Sequence, residues 1–318
     1  MNKIKIIIFH FLFFIMALTQ NQNFSIASTQ IKIVNKINNE IITNFDIENE
    51  YNYLIALNNE LKNIPKKEAL EIAKKSLIRE KIKASEIKKY YILKDFNRNE
   101  YLANVLKDFY LKLNISTEKE FISYLNTFDL EIEEVKNKIK LEILWNQLIG
   151  SKFKNQINID ETFLKKKMVQ NNLNFKNIVE YDLSEIVFQA KTQDELNSTI
   201  NEIKLSIEQI GFNNTANKYS ISDSAKFAGK IGKVKENQLS EVIKTELKSL
   251  KIGQISKPLN IGGSFLLLFV NDKKKIQLEQ DEEKILENMI EFEKAKQFEQ
   301  FSQIYFNKIK LNLQIESY

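Results

Sequence analysis

The chain has 318 residues, of which 47 are basic and 42 acidic, giving a formal net charge of +5; it has no cysteine and a single histidine, His10. These counts exclude disulfides, a cysteine nucleophile and cysteine-ligated metals, and residues 28–318 have no histidine to act as a general base or metal ligand. The charges are interspersed, whereas nucleic-acid binding usually requires a concentrated basic face. We therefore expect no cofactor, no metal and no nucleic-acid partner.

Residues 1–27 have the layout of a secretory signal peptide. Lys3 and Lys5 precede an apolar run, Ile6–Leu18, and small residues, Ser25 and Ala27, stand at −3 and −1 of a cleavage site. The run is short for crossing a bilayer, so the pattern favours cleavage after Ala27 over an uncleaved membrane anchor. The sequence therefore predicts export.

Residues 28–172 are predicted to form a mainly helical N-terminal domain that opens with a β-hairpin. Two β-like runs, Ile31–Ile37 and Ile41–Thr43, flank the turn-forming pair Asn38-Asn39. Apolar residues then recur at helical spacing in successive segments. These segments contain Ile47, Tyr51, Leu54, Ile55 and Leu61; Leu70, Ala73, Leu77 and Ile82; Leu102, Leu106, Phe109 and Leu113; and Ile132, Val135, Ile139, Ile143 and Leu144.

Two further helices are marked by their N-terminal caps. Thr117 and Glu120 have the spacing of a capping box, and the helix that follows contains Phe121, Ile122 and Leu125. Asp160 is a suitable N-cap for a short helix containing Phe163 and Leu164.

Residues 177–273 are predicted to form a separate α+β domain, because six of the seven glycines fall between Gly211 and Gly263. The pattern indicates, in order, a strand over 179–188, a helix over 194–210 ended by Gly211, a short helix over 213–219, a helix over 241–250 and a strand over 264–270. The lysines at 273–275 are interpreted as solvated surface.

Residues 276–318 are predicted to form one long amphipathic helix over 280–309. Its apolar stripe contains Ile285, Met289, Phe292, Phe298, Phe301 and Tyr305. An isolated helix is only marginally stable in water, so we expect it to pack on the N-terminal domain. The α+β domain would then be inserted between two parts of one helical unit.

Motifs in the α+β segment resemble the parvulin (PpiC-type) family of peptidyl-prolyl isomerases. They are Phe212-x-x-Thr215-Ala216-x-x-Tyr219-Ser220, Gly229-Lys230-Ile231-Gly232, Asn237-Gln238-Leu239 and the run from Leu250 to Pro258. The flanking segments 33–43, 77–82 and 305–310 resemble SurA-type periplasmic chaperones. The resemblance implies a multidomain α and α+β protein: a helical SurA-like chaperone body with one inserted parvulin-like α+β domain.

The resemblance also places the family's polar site residues, and this sequence departs from each of them. The two family histidines fall on Glu185 and Leu266, the cysteine-or-aspartate position on Ser222, and the acid of the G-D-L-G motif on Lys230. Rotation about the peptide bond has a barrier of about 18–20 kcal/mol, and its catalysis needs groups that favour the twisted amide. We therefore expect a degenerate isomerase site.

The apolar positions of the family's proline pocket are better retained. They are occupied by Ile231, Leu239, Ile243 and Phe265, which would either contact a peptide or fill the domain core. Glu185 likewise has two interpretations: a polar contact for a peptide backbone, or an exposed carboxylate or one paired with a lysine, since acids are seldom buried without partners.

Three functions are compatible with these features. The first is an ATP-independent periplasmic chaperone for unfolded exported polypeptides; by resemblance its clients would be outer-membrane protein precursors, with the outer-membrane assembly machinery as a further partner. The alternative is an active peptidyl-prolyl isomerase assisting periplasmic folding. The third is a purely structural exported protein.

Overall fold

The computed structural model describes residues 30–92, 96, 99–171, 178–261, 263–276 and 282–318. The predicted signal peptide and the junction around residues 172–177 lie outside the described residues. Residues Ile33–Tyr318 form one compact unit. In the described part of the chain, no helix combines the length and the apolar character needed to cross a lipid bilayer.

The predicted hairpin is present and gains a third strand from the other end of the chain. Strands β1 (Ile33–Ile37) and β2 (Glu40–Thr43) pair antiparallel around Asn38, which has a φ of 50°. Strand β7 (Ile315–Ser317) pairs with the free edge of β1. The sequence did not predict β7, because three residues are too few to display an alternating pattern.

Six helices follow the hairpin among the described residues: α1 (Asn44–Leu57), α2 (Lys66–Ile87), α3 (Asn99–Leu111), α4 (Glu118–Asn126), α5 (Ile132–Phe153) and α6 (Glu161–Asn171). Both predicted caps are confirmed. Thr117 and Glu120 form the capping box of α4, and the Phe163 N–H donates a 2.8 Å hydrogen bond to Asp160 Oδ1. One apolar core joins the hairpin to helices α1–α5, and it includes Ile37, Ile42, Leu61 and Phe121.

The long C-terminal helix, α9 (Glu282–Leu311), packs on α2, α5 and α6. Trp145 of α5 is fully buried beside it, and its indole N–H donates a 2.8 Å hydrogen bond to Ser302 Oγ. Phe301 stacks on Phe153 with ring centroids 4.9 Å apart. We refer to the described residues of 33–171 and 282–318 as the helical body.

The α+β part, residues 178–276, contains β3 (Ile178–Phe188), α7 (Gln193–Tyr219), β4 (Lys230–Lys235), α8 (Glu241–Ser249), β5 (Leu259–Asn260) and β6 (Phe265–Ile276). The sheet order is β4-β3-β6-β5, with antiparallel pairing. Gly211 interrupts α7 with a φ of 78°, as its predicted role as a helix terminator requires. Strand β6 is longer than predicted because its polar end pairs with Ile178–Asp182.

Each face of this sheet packs on a different helix, because successive side chains of a strand point to opposite faces. The α8-side cluster comprises Tyr181, Leu183, Val187, Leu239, Leu247, Leu259, Leu266, Leu268 and Val270. The α7-side cluster comprises Ile186, Phe188, Ile203, Phe212, Ala216 and Leu267. The candidate site residues can therefore be assigned to one face or the other.

Candidate functional site

Glu185 lies near the middle of β3, opposite Leu268, and is flanked by Leu183 and Val187 of the α8-side cluster. Its carboxylate accepts hydrogen bonds from two hydroxyls, Ser222 Oγ at 2.7 Å and Ser224 Oγ at 2.9 Å. The structure therefore brings two predicted site residues, Glu185 and Ser222, into direct contact. Ser224 was not identified from the sequence, since no pattern marks an isolated serine as a hydrogen-bond donor.

The surroundings of Glu185 favour its protonated form. Burial raises the pKa of this carboxyl, the hydrogen bonds from Ser222 and Ser224 partly oppose that effect, and the nearby Asp223 raises the pKa further. The prediction that Glu185 is exposed or paired with a lysine is wrong: the side chain is partly buried, and hydroxyls satisfy it.

A glycine allows the loop carrying these serines to approach β3. The Glu185 N–H donates a 2.7 Å hydrogen bond to the carbonyl of Gly229, which has a φ of 74°. A Cβ at this position would lie 2.2 Å from the Glu185 carbonyl oxygen and 2.9 Å from Ala216 Cβ. The first glycine of the Gly-Lys-Ile-Gly motif is thus required by close packing as well as by backbone conformation.

The segment Ser220–Asp223 is also held to β3 through Val187. The Val187 N–H donates to Ser220 Oγ at 3.0 Å, and the Ile221 N–H donates to the Val187 carbonyl at 2.8 Å. Ser222 then caps a short 3₁₀ turn over 223–227 by accepting from the Ser224 N–H at 3.3 Å. Only 5% of Ser222 is exposed, so its hydroxyl has little access to solvent.

Leu266, where the resemblance places the second family histidine, is part of the α8-side cluster. It lies opposite Val187 on β6 and is 6% exposed. The structure therefore brings Glu185, a carboxyl, and Leu266, a buried apolar side chain, onto one sheet face. Leucine offers no hydrogen bond to a twisted amide.

The four predicted peptide-binding residues do not share one surface. Leu239 is buried in the α8-side cluster, and Ile243 packs at its margin. Phe265 lies on the opposite face, where it stacks on Phe188 with ring centroids 5.8 Å apart, so it cannot join Leu239 in one pocket. Ile231 is 42% exposed on β4, next to the exposed Lys230.

Two cations of the helical body bind the segment that carries Ser222. The Arg79 guanidinium donates to the carbonyl oxygens of Ser220 at 2.7 Å and Ser222 at 3.1 Å. One turn further along α2, Lys83 forms ion pairs with Asp223 at 2.6 Å and with Glu142 at 2.8 Å. Arg79 lies within residues 77–82, which were singled out only by their resemblance to SurA-type chaperones.

Burial disfavours the charged forms of Arg79 and Lys83, but the net shift of the pKa is downward for Arg79 and upward for Lys83. It lowers the pKa of Arg79. It also disfavours the Lys83 ammonium, but the carboxylates of Asp223 and Glu142 outweigh burial and raise the pKa of Lys83. The raised pKa keeps Lys83 charged. The segment Ser220–Asp223 is thus joined to the helical body by hydrogen bonds from Arg79 and by the ion pair of Lys83 with Asp223.

A cavity of about 450 Å³ lies between α2, the segment 217–226 and α9. Glu299 of α9 lines it and accepts a 3.0 Å hydrogen bond from Gln303 Nε2. Burial, and then the charge of Asp223, raise the pKa of Glu299 to about 7. Across the described ranges, no three acidic or histidine side chains are grouped as metal ligands.

Comparison with known proteins identifies the α+β part. Residues 181–272 match the family model described as Rotamase: PPIC-type PPIASE domain. No curated protein matches the chain.

Three similar solved structures illustrate the range of the likeness. One is a PpiC-type peptidyl-prolyl cis-trans isomerase domain, 28% identical, covering 32% of this chain and 96% of its own, with a TM-score of 0.28. Another comes from a report on two SurA-like chaperones of Campylobacter jejuni. It is 19% identical and covers 90% of this chain and 98% of its own, with a TM-score of 0.35. The third is the peptidylprolyl isomerase PrsA of Bacillus anthracis. It is 19% identical and covers 76% of this chain and 98% of its own, with a TM-score of 0.31.

Proposed function

We propose that this chain, which carries a PpiC-type peptidyl-prolyl isomerase domain over residues 181–272, is an exported, ATP-independent chaperone that holds unfolded polypeptides and isomerises proline weakly or not at all. The observation that carries the proposal is the pair of histidine positions. Glu185 is hydrogen-bonded to two serines, and Leu266 is buried in the sheet core.

Holding an unfolded chain requires only transient burial of its apolar surface, so this function does not depend on the missing polar groups. We place the protein in the periplasm, with the signal peptide removed near Ala27, and we propose outer-membrane protein precursors as its clients and the outer-membrane assembly machinery as a further partner. The signal-like N-terminus and the resemblance to SurA-type chaperones support these assignments. N-terminal sequencing that finds Met1 on membrane-bound material would contradict cleavage near Ala27.

Two assays on the purified protein test the proposal. In the first, a chemically unfolded outer-membrane β-barrel protein is diluted from denaturant, and light scattering is expected to fall in the presence of the chaperone. In the second, a protease-coupled proline assay is expected to show little or no acceleration. Uncatalysed isomerisation takes about 10–100 s at 25 °C, so even modest catalysis is easily detected.

A matched control makes the second assay specific. Ser198 is an exposed serine whose hydroxyl is 3.3 Å from Glu202, so Ser198→Ala removes a similar serine–glutamate contact outside the site. Acceleration that is abolished by Ser222→Ala but retained in Ser198→Ala would overturn the assignment of a degenerate site.

The raised pKa of Glu185 favours a second candidate, an isomerase that uses this carboxyl. A protonated carboxyl can donate a hydrogen bond to the amide nitrogen of a twisting proline bond. This candidate predicts an isomerisation rate that falls as the pH rises through the pKa of Glu185 and that disappears in Glu185→Ala.

A further inference from the structure

The segment Ser220–Asp223, which carries Ser222, is bound by both the α+β part and the helical body. From the α+β part, Val187 binds Ser220 and Ile221 of the segment. From the helical body, Arg79 binds the carbonyl groups of Ser220 and Ser222. Arg79 and Ser222 are 143 residues apart in sequence, and Arg79 lies outside the residues that match the isomerase family.

The spacing of the two body cations matches the shape of the segment. Arg79 and Lys83 are four residues apart and therefore lie on one side of α2. The guanidinium has donors in a rigid fork, and here it reaches two carbonyl oxygens that are two residues apart. Lys83 binds Asp223, the next residue along the segment.

We infer that Arg79, assisted by Lys83, is a positioning residue for the Glu185–Ser222 pair. The helical body then completes a site that belongs to the α+β part, residues 178–276, which we call the isomerase domain after the family model that matches it. The inference rests on the proposed function insofar as the pair contacts polypeptide. The carbonyl oxygen of Ser222 accepts a hydrogen bond from Arg79, while the hydroxyl of the same residue donates to Glu185. Arg79 therefore restrains the backbone of the residue that donates to Glu185.

This role can be measured through Glu185 itself, without any bound peptide. A hydrogen bond to a carboxylate stabilises the charged form and so lowers its pKa. If Arg79 no longer holds the segment, the bond from Ser222 to Glu185 weakens and the Glu185 titration moves to higher pH. The other acids near this junction are Asp223, Glu142 and Glu299, and all three interact with the Arg79 charge. Arg79→Lys keeps that charge, so their influence on Glu185 stays as in the parent.

The experiment follows the ¹³C shift of the Glu185 carboxyl against pH in the purified full-length protein, with the signal assigned by its loss in Glu185→Gln. Arg79→Lys keeps the positive charge but cannot reach both carbonyls, so it isolates geometry from charge. We expect its Glu185 midpoint to rise, and that of Arg79→Met to rise further. Because Arg79→Lys retains the charge and the aliphatic stem, it remains informative if Arg79→Met does not fold.

Lys218→Met is the matched control. Lys218 joins the isomerase domain to Glu68 of the helical body at 2.5 Å, and its ammonium is engaged at the same junction without bonding to Ser220 or Ser222. We expect this variant to leave the Glu185 midpoint in place. An unchanged midpoint in Arg79→Lys, or an equal rise in Lys218→Met, would overturn the inference.

Binding of a fluorescent proline-containing peptide gives the second readout. We expect Arg79→Lys to weaken binding about three- to tenfold, the loss expected for one hydrogen bond. If the parent protein binds no peptide and also fails to hold the unfolded β-barrel protein, the proposed function fails, while the Glu185 titration still decides whether Arg79 positions the pair.

Discussion

The Ser222 hydroxyl donates a 2.7 Å hydrogen bond to Glu185, and the two residues stand at positions where parvulins, by the sequence resemblance, carry a cysteine or aspartate and a histidine. The Glu185 carboxylate is held here by the hydroxyls of Ser222 and Ser224. Its properties, and those of the junction beneath it, lead to four predictions about stability.

Leu266→His restores a family residue and should nevertheless destabilise the protein. Leu266 is 6% exposed within the α8-side cluster, so an imidazole there would be buried with no arranged partner. We expect a loss of about 2–4 kcal/mol in the free energy of unfolding. The measurement is a urea titration. Leu205→His, at a leucine that is 56% exposed, serves as the control and should change stability by less than about 0.5 kcal/mol.

Gly229→Ala should be costly, because the new methyl group would lie 2.2 Å from the Glu185 carbonyl oxygen at a φ of 74°. Gly232 has a φ of 88°, and a methyl group added there would meet no other atom within 4 Å, so Gly232→Ala reports the backbone penalty alone. We expect about 1–2 kcal/mol for Gly232→Ala and clearly more for Gly229→Ala. Equal losses in thermal unfolding would show that the loop can retreat from β3.

Lys83→Met removes one partner of a buried ionic group. Lys83 has a side chain only 4% exposed, and it binds both Glu142 and Asp223. Without it Asp223 would lose this ion pair, and Glu142 would keep only its pair with Lys226. We expect a loss of about 3–5 kcal/mol.

The control for this variant is Lys66→Met, at a surface ion pair with Glu48 in which both side chains are about half exposed. Removing it should cost below about 1 kcal/mol. The free energy of unfolding of each variant is read from urea curves at pH 7. A small loss in Lys83→Met would indicate that the junction is hydrated.

Glu299 should make the folded protein less stable as the pH rises towards neutrality. Its pKa is raised from 4.5 to about 7, so the folded state keeps a proton that the unfolded state releases. Stability is then favoured below pH 4.5 and declines as the pH rises from 4.5 to 7.

The measurement is the melting temperature between about pH 4.5 and 8 for the parent and for Glu299→Gln, which should decline less steeply. Glu287→Gln, at an exposed position of the same helix, should follow the parent. If Glu299→Gln and the parent have parallel profiles, Glu299 is not the titrating group.

Local patterns were sufficient wherever the cause of a structure lies within a few residues. The caps at Thr117 and Asp160 and the interruption at Gly211 are confirmed because each depends on neighbouring backbone groups. The alternation of side chains along a strand could also have excluded one predicted site grouping from the sequence alone. Phe265 and Leu266 are adjacent on β6, so they point to opposite faces and cannot line one pocket.

The junction between the helical body and the isomerase domain was not predictable in this way. The bond from Arg79 to Ser222 joins residues 143 positions apart, and it exists only after two folded parts dock. Neither hydrophobic periodicity nor cap chemistry encodes such a relation. The partners of Glu185 were missed for the same reason, since Ser222 and Ser224 approach it across 37 and 39 residues.

The pairing of β7 with β1 has a consequence for the order of assembly. Asn35 and Ser317 are partners in the first sheet and are 282 positions apart. All four strands of the second sheet, by contrast, lie within residues 178–276. During synthesis from the N-terminus, β3–β6 can therefore pair before the last strand of the body exists. Closing the long outer loop is entropically cheaper once the enclosed domain is compact, because fewer flexible residues then separate the ends. A compact α+β part thus leaves fewer flexible residues between the two halves of the body, which favours their association.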